Sequence, residues 1–140
     1  MPDIYEHAHT VRDDEIDSLR RASNVAYVQW MLDAALAHSA AQGWSAEAYV
    51  RLGSGWVVRS HKIEYRRPAL PGDRVVVRTW VATMDVATSL RRYRMERASD
   101  GTLLASAETL WAFINFATGR PARIPPEIAR AFVVVNAPEP

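Results

Sequence analysis

Asp17 precedes a strongly apolar stretch, and between them Ser23 stands as a helix N-cap, opening a helix expected over residues 24–42. A carboxylate in that place can attack a carbonyl carbon, or take a proton from the water that does. The first N–H groups of a helix lack partners within it, and its positive dipole end favours negative charge. An oxyanion forming beside Asp17 would find donors near Ser23 and Asn24. One short segment can therefore supply both attacking group and oxyanion donors. The plainer role for Asp17, one of the acids Asp13, Asp14, Glu15 and Asp17 in a polar loop, is to settle the helix start. Asn24 carries the same two readings, donor to a reacting carbonyl or simple cap.

Other chemistry-bearing types are sparser. His7 and His9, two apart, share one face of a strand, but no third ligand is placed by sequence and no metal site is assigned. His38 and His61 stand alone and read as structural. Asp33 lies in an apolar helix, where an unpaired charge is costly, so it needs a partner within the fold or across an interface. The absence of cysteine excludes disulfides, thiolate catalysis and Cys-ligated metal, and suits a reducing compartment.

The charges are unevenly spread. Lys+Arg number 17 and Asp+Glu 16, a formal net of +1, which argues against a nucleic-acid binder relying on bulk charge. Lys62 is the only lysine; the rest of the basic residues are Arg, the side chain that grips phosphate bidentately. Residues 1–17 hold six acids and one Arg, whereas residues 51–97 hold eleven bases and four acids. Arg91 and Arg92 follow Thr88 and Ser89 at the start of a strand, with Arg94 on the Arg92 face.

The elements that must position these groups follow from periodicity. Residues 5–13 alternate as a strand, residues 14–21 are a polar turn, and the helix from Asn24 ends at Gly43. It is apolar on nearly every side and should be buried; Tyr27 and Trp30, at helical spacing, suit a core. Residues 45–52 fit a short second helix. Period two then predicts strands over 56–66, 74–84, 89–97 and 103–116, and Pro126 opens a closing helix over 125–135. Short connections imply antiparallel neighbours, and wrapping that sheet around the helix buries it. The expectation is one α+β domain over 1–140. The N-terminus reads as no signal peptide and no apolar run spans a membrane, so the default is a cytoplasmic protein.

The run from Asp14 to Trp30 resembles the signature of the 4-hydroxybenzoyl-CoA thioesterase-like family, in which an Asp is followed by a loop often reading Gly-His-Val-Asn-Asn and, ten positions on, a Tyr. Asp17 and Tyr27 keep that spacing, and Asn24 matches the second Asn. Ile63-Glu64-Tyr65-Arg66-Arg67-Pro68-Ala69 with Gly72-Asp73, and Thr118-Gly119-Arg120-Pro121 before Ile124-Pro125, are similar to family patterns further along. Asn24 to Asp33 also resembles the plant-type acyl-ACP thioesterases. The chain departs at Arg20 and Arg21, in the Gly-His positions, and at Ser23 in place of the first Asn. Arg21 stays protonated and cannot be a base. The hydratase-like branch places a His five residues after its Asp, where this chain has Ala22, and the dehydratase branch needs a His in a Pro-rich turn that this chain lacks.

The resemblance implies the hotdog fold, a five-stranded antiparallel sheet wrapped around a long central helix. It implies an acyl-CoA or acyl-ACP thioesterase with Asp17 catalytic and no cofactor. Ser23, Asn24, Tyr27, Arg91 and Arg92 are then the expected substrate contacts, the arginines toward the phosphates of coenzyme A. The expected assembly is a homodimer or homotetramer with the site at a subunit interface. The alternative is a non-catalytic module that binds or senses acyl thioesters.

Overall fold

The computed structural model describes residues 3–135. The chain runs β1 (Tyr5–Thr10), a 3-10 turn (Asp13–Glu15), α1 (Asn24–Ala41), α2 (Ala46–Leu52), β2 (Ser54–Tyr65), β3 (Arg74–Val81), β4 (Thr88–Arg97), β5 (Leu103–Asn115) and α3 (Pro126–Ala129). The strands form one sheet in the order β1-β3-β4-β5-β2, every neighbour antiparallel. This is the expected hotdog arrangement, with α1 lying against the sheet.

The core forms where the apolar face of α1 meets the inward residues of the strands. Tyr27, Trp30, Met31 and Ala34 join Val75 and Val77 of β3, Tyr93 and Met95 of β4, and Ala105 of β5 in one buried cluster. A second cluster lies beyond it, from Tyr49, Val81, Phe113, Ile128 and Phe132. β2 runs back along α1. At its end the Tyr65 hydroxyl donates to the Asn24 carbonyl at 3.1 Å. At its start Gly55 packs so closely that a Cβ there would lie 2.6 Å from Phe116 and 3.2 Å from Tyr49.

Four expectations change. β1 stops at Thr10, because Glu15 turns the chain: its carboxylate accepts the Arg12 N–H at 2.8 Å while its own N–H donates to the Arg12 carbonyl at 3.1 Å. β3 ends at Val81, and the Ser89 hydroxyl holds the departing chain at the Thr83 carbonyl (2.8 Å). The closing helix is a single turn, Pro126–Ala129. Finally, α1 is buried on one side only. Val25 and Leu36 are 77% and 57% exposed, because one sheet covers one face of a cylinder and the other apolar face is left without a wall. Among the described residues no helix is long and apolar enough to cross a membrane.

Candidate active site

Asp17 sits in a small closed loop. Ile16 and Ala22 bridge across its neck, the Asp17 N–H donates to the Arg21 carbonyl at 2.9 Å, and the Arg20 N–H donates to the Asp17 carbonyl at 3.0 Å. Arg20 takes a left-handed backbone, φ 62°, which glycine adopts without steric cost. That gives a physical reason for the Gly that the family resemblance puts at this position. The Asp17 Oδ1 accepts the Leu19 N–H at 2.8 Å; among the described residues, no hydrogen bond is made to Oδ2. The half-buried carboxylate is therefore oriented through one oxygen and open at the other.

The loop is tied to the body by a residue that sequence reasoning passed over. Glu15, buried, accepts from Arg12 N–H, from His9 Nε2 (2.7 Å) through Oε1, and from Trp30 Nε1 (2.8 Å) through Oε2, while its carbonyl accepts the Ser23 N–H at 2.8 Å. Burial alone would raise its pKa, but the Arg12 amide, His9 and Trp30 together hold the carboxyl below its ordinary value. One acid thus joins β1, the Asp17 loop and α1, and His9 is engaged here.

At the start of α1 the Ser23 hydroxyl accepts the Ala26 N–H at 3.3 Å, as an N-cap should. The N–H groups of Asn24 and Val25 have no acceptor among the described residues, and both residues are exposed. Tyr27 is placed differently from a surface contact. It is buried, its hydroxyl accepts the Ala69 N–H at 3.0 Å, and its ring packs on Trp30 and edge-on to Tyr65. Burial pushes the phenol pKa up, so it stays neutral. Asp33 accepts from the Gln29 amide at 2.8 Å, one turn earlier.

Arg91 and Arg92 point to opposite faces of the sheet. Arg92 faces outward, 3.6 Å from Glu108, in a hollow shared with Lys62, Glu64 and Arg66. Arg91 faces inward, only 6% exposed, and its Nη1 donates to His38 Nδ1 (2.9 Å) and Thr79 Oγ1 (3.0 Å). Burial and the neighbouring Arg91 push His38 down to about 4, so the imidazole accepts as a neutral ring, its proton on Nε2. A signal for this was present: Arg91 shares its parity with Tyr93 and Met95, both core residues.

Arg91 also lines a mostly apolar cavity of about 250 Å³, walled by Leu36, Tyr49, Trp56, Trp111 and Phe132 among others. Its rim is braced by a hydrogen-bond chain: Trp56 Nε1 donates to the Tyr49 hydroxyl (3.1 Å), which donates to Ser39 Oγ (2.9 Å), which donates to the Trp44 carbonyl (2.7 Å). The cavity flanks the C-terminal half of α1. At about 1.5 Å of rise per residue, Ser39 lies roughly 22 Å along the axis from Asn24, so in one chain cavity and Asp17 occupy opposite ends of the helix.

A family model described as "thioesterase-like superfamily" matches residues 11–132, nearly the whole chain. This chain belongs to the thioesterase-like superfamily. Among curated relatives of this superfamily member, a chloroplastic acyl-[acyl-carrier-protein] hydrolase of Cuphea viscosissima is 26% identical over 133 residues, 91% of this chain and 32% of that protein. The chain spans about a third of the length of the curated relatives it matches. Among solved structures, a hypothetical protein of Thermus thermophilus is similar at TM-score 0.85 and 29% identity, covering 91% of this chain and 96% of the other. A 1,4-dihydroxy-2-naphthoyl-CoA thioesterase of Synechocystis superposes at TM-score 0.86 over 96% of this chain and 99% of its own, at 18% identity, a likeness of fold.

Proposed function

We propose that this superfamily member hydrolyses acyl thioesters of coenzyme A or acyl carrier protein, with Asp17 as the catalytic carboxylate. The observation that carries the reading is the Asp17 loop: Oδ1 tethered, Oδ2 open, beside a helix start with two unpartnered N–H groups. As nucleophile, Oδ2 attacks the thioester carbon, the oxyanion draws on the Asn24 and Val25 amides, and the thiolate leaves a mixed anhydride that water opens. As base, Asp17 takes a proton from water as that water attacks, and passes it to the departing thiolate. Ser23 and Asn24 shape the donor site, and Tyr27 positions it from behind through Ala69. Of the two arginines, Arg92 is the one open to solvent and able to meet a carrier phosphate.

The acyl chain enters the apolar cavity of a second copy. β2 is a bare sheet edge carrying exposed Val57 and Val58, and α1 leaves Val25 and Leu36 uncovered. Because β2 runs antiparallel to α1, pairing two β2 edges about a two-fold axis sets the Asp17 end of one chain against the cavity end of the other. A homodimer thereby brings together groups that one chain keeps roughly 22 Å apart.

A non-catalytic acyl-thioester binding module remains the second reading, favoured by the turn role already occupied by Oδ1. Asp17→Asn separates the two, since the amide oxygen can still accept the Leu19 N–H but can neither attack nor take a proton. Thiol release from a panel of acyl-CoAs is expected for the wild type and lost in Asp17→Asn. Tight acyl-CoA binding with no thiol release from the wild type would establish the module instead.

A further inference from the structure

The buried guanidinium of Arg91 is the group that thioester hydrolysis leaves unexplained. An apolar cavity for a simple alkyl chain has no need of a cation, and taking one out of water costs several kcal/mol unless it is paired. Among the described residues Arg91 makes its hydrogen bonds from Nη1 alone, to a neutral imidazole and a hydroxyl, neither of which returns a negative charge. Among the described residues no carboxylate lies within ion-pair distance of it. Tyr49 and Tyr93 are its other polar neighbours, and burial pushes both phenols up, so they stay neutral. The other arginines of the same strand, Arg92, Arg94 and Arg97, each have an acidic partner. Arg91 is thus a nine-tenths buried cation in the lining of the cavity, with Nε and Nη2 unspent.

We infer that the cavity is built for an acyl chain carrying a carboxylate at its far end, and that Arg91 pairs with this ω-carboxylate. The His38 and Thr79 bonds fix the guanidinium from behind through Nη1, leaving the Nε–Nη2 edge, the geometry that receives a carboxylate bidentately. The wall around it stays apolar, suited to the methylenes between thioester and carboxylate. The inference rests on the thioesterase reading, and deepens it from acyl thioesters in general to ω-carboxyacyl thioesters.

The test compares matched pairs of equal length: adipoyl- with hexanoyl-CoA, suberoyl- with octanoyl-CoA, and sebacoyl- with decanoyl-CoA. Wild type is expected to prefer the ω-carboxyl member of at least one pair by tenfold or more in kcat/KM, expressed mainly in KM. In Arg91→Met that ratio falls to about one, and Arg91→Lys recovers part of it as a point charge. Binding of suberoyl- and octanoyl-CoA to Asp17→Asn, followed by calorimetry, reads the same preference without catalysis, with circular dichroism confirming that each variant is folded. Hydrolysis of both members at equal efficiency overturns the inference while leaving the thioesterase reading intact. Absence of any hydrolysis together with a suberoyl preference in binding contradicts the thioesterase reading and sustains the role of Arg91. A preference that survives in Arg91→Met overturns the inference; if Arg91→Met is unfolded, the binding preference of Arg91→Lys decides, and an unchanged ratio there overturns it.

Discussion

Two buried titratable residues, His38 and Glu15, contribute to how this molecule answers to acid. His38 is held near 4 by burial and by Arg91, against 6.5 in an unfolded chain. Between those values the unfolded state binds the extra proton, so stability falls as pH falls from 6.5 toward 4 and levels off below. The slope is about 1.4 kcal/mol per pH unit, and the whole contribution about 3 kcal/mol. Glu15 adds to this at lower pH: its depressed carboxyl contributes stability above the unfolded value that is lost as pH drops through the folded one. Urea unfolding at pH 7 and pH 5 is expected to show the midpoint falling, and His38→Gln is expected to flatten that change. Glu15→Ala, which leaves Trp30 Nε1 buried without an acceptor, should cost about 2–3 kcal/mol at pH 7 in the same measurement.

At the scale of elements, the loop before α1 is held in shape against its own sequence. Arg20 pays the steric cost of a left-handed backbone, and Arg20→Gly should relieve it, raising stability by about 0.5–1 kcal/mol in chemical denaturation with thiol release retained. The elements themselves were largely legible. Period two from Trp56 onward and the Ser23 cap follow from local rules, and the strands and α1 lie where those rules put them apart from the early ends of β1 and β3. What local rules miss is which wall a side chain meets. An apolar run on every side of a helix says that all of it wants covering, but not that the chain's own sheet covers one face alone, which leaves Val25 and Leu36 exposed. Arg91 was grouped with Arg92 by adjacency and charge, although strand alternation puts it inward with Tyr93. Glu15 looked like one acid among several because its three partners come from β1, the loop and α1, a convergence that only the fold creates.

For the whole molecule, the proposed site is complete only in the proposed dimer. The uneven charge of the sequence resolves accordingly: the acidic N-terminal segment carries Asp17 and the buried Glu15. Much of the Arg-rich middle is spent on the outward face of the sheet, in pairs such as Arg78–Glu96, Arg94–Glu96 and Arg92–Glu108. Sedimentation is expected to give a dimer or a dimer of dimers, and Val57→Asp with Val58→Asp on the β2 edge is expected to yield monomer with thiol release reduced at least tenfold. A fully active monomer would contradict the shared site. The most direct test of the central claim is thiol release by Asp17→Asn beside the wild type, across acyl-CoAs of graded length and both end-group classes. A drop of about a thousandfold or more in kcat, with the fold and acyl-CoA binding retained, is the predicted result; activity in Asp17→Asn equal to the wild type would contradict it.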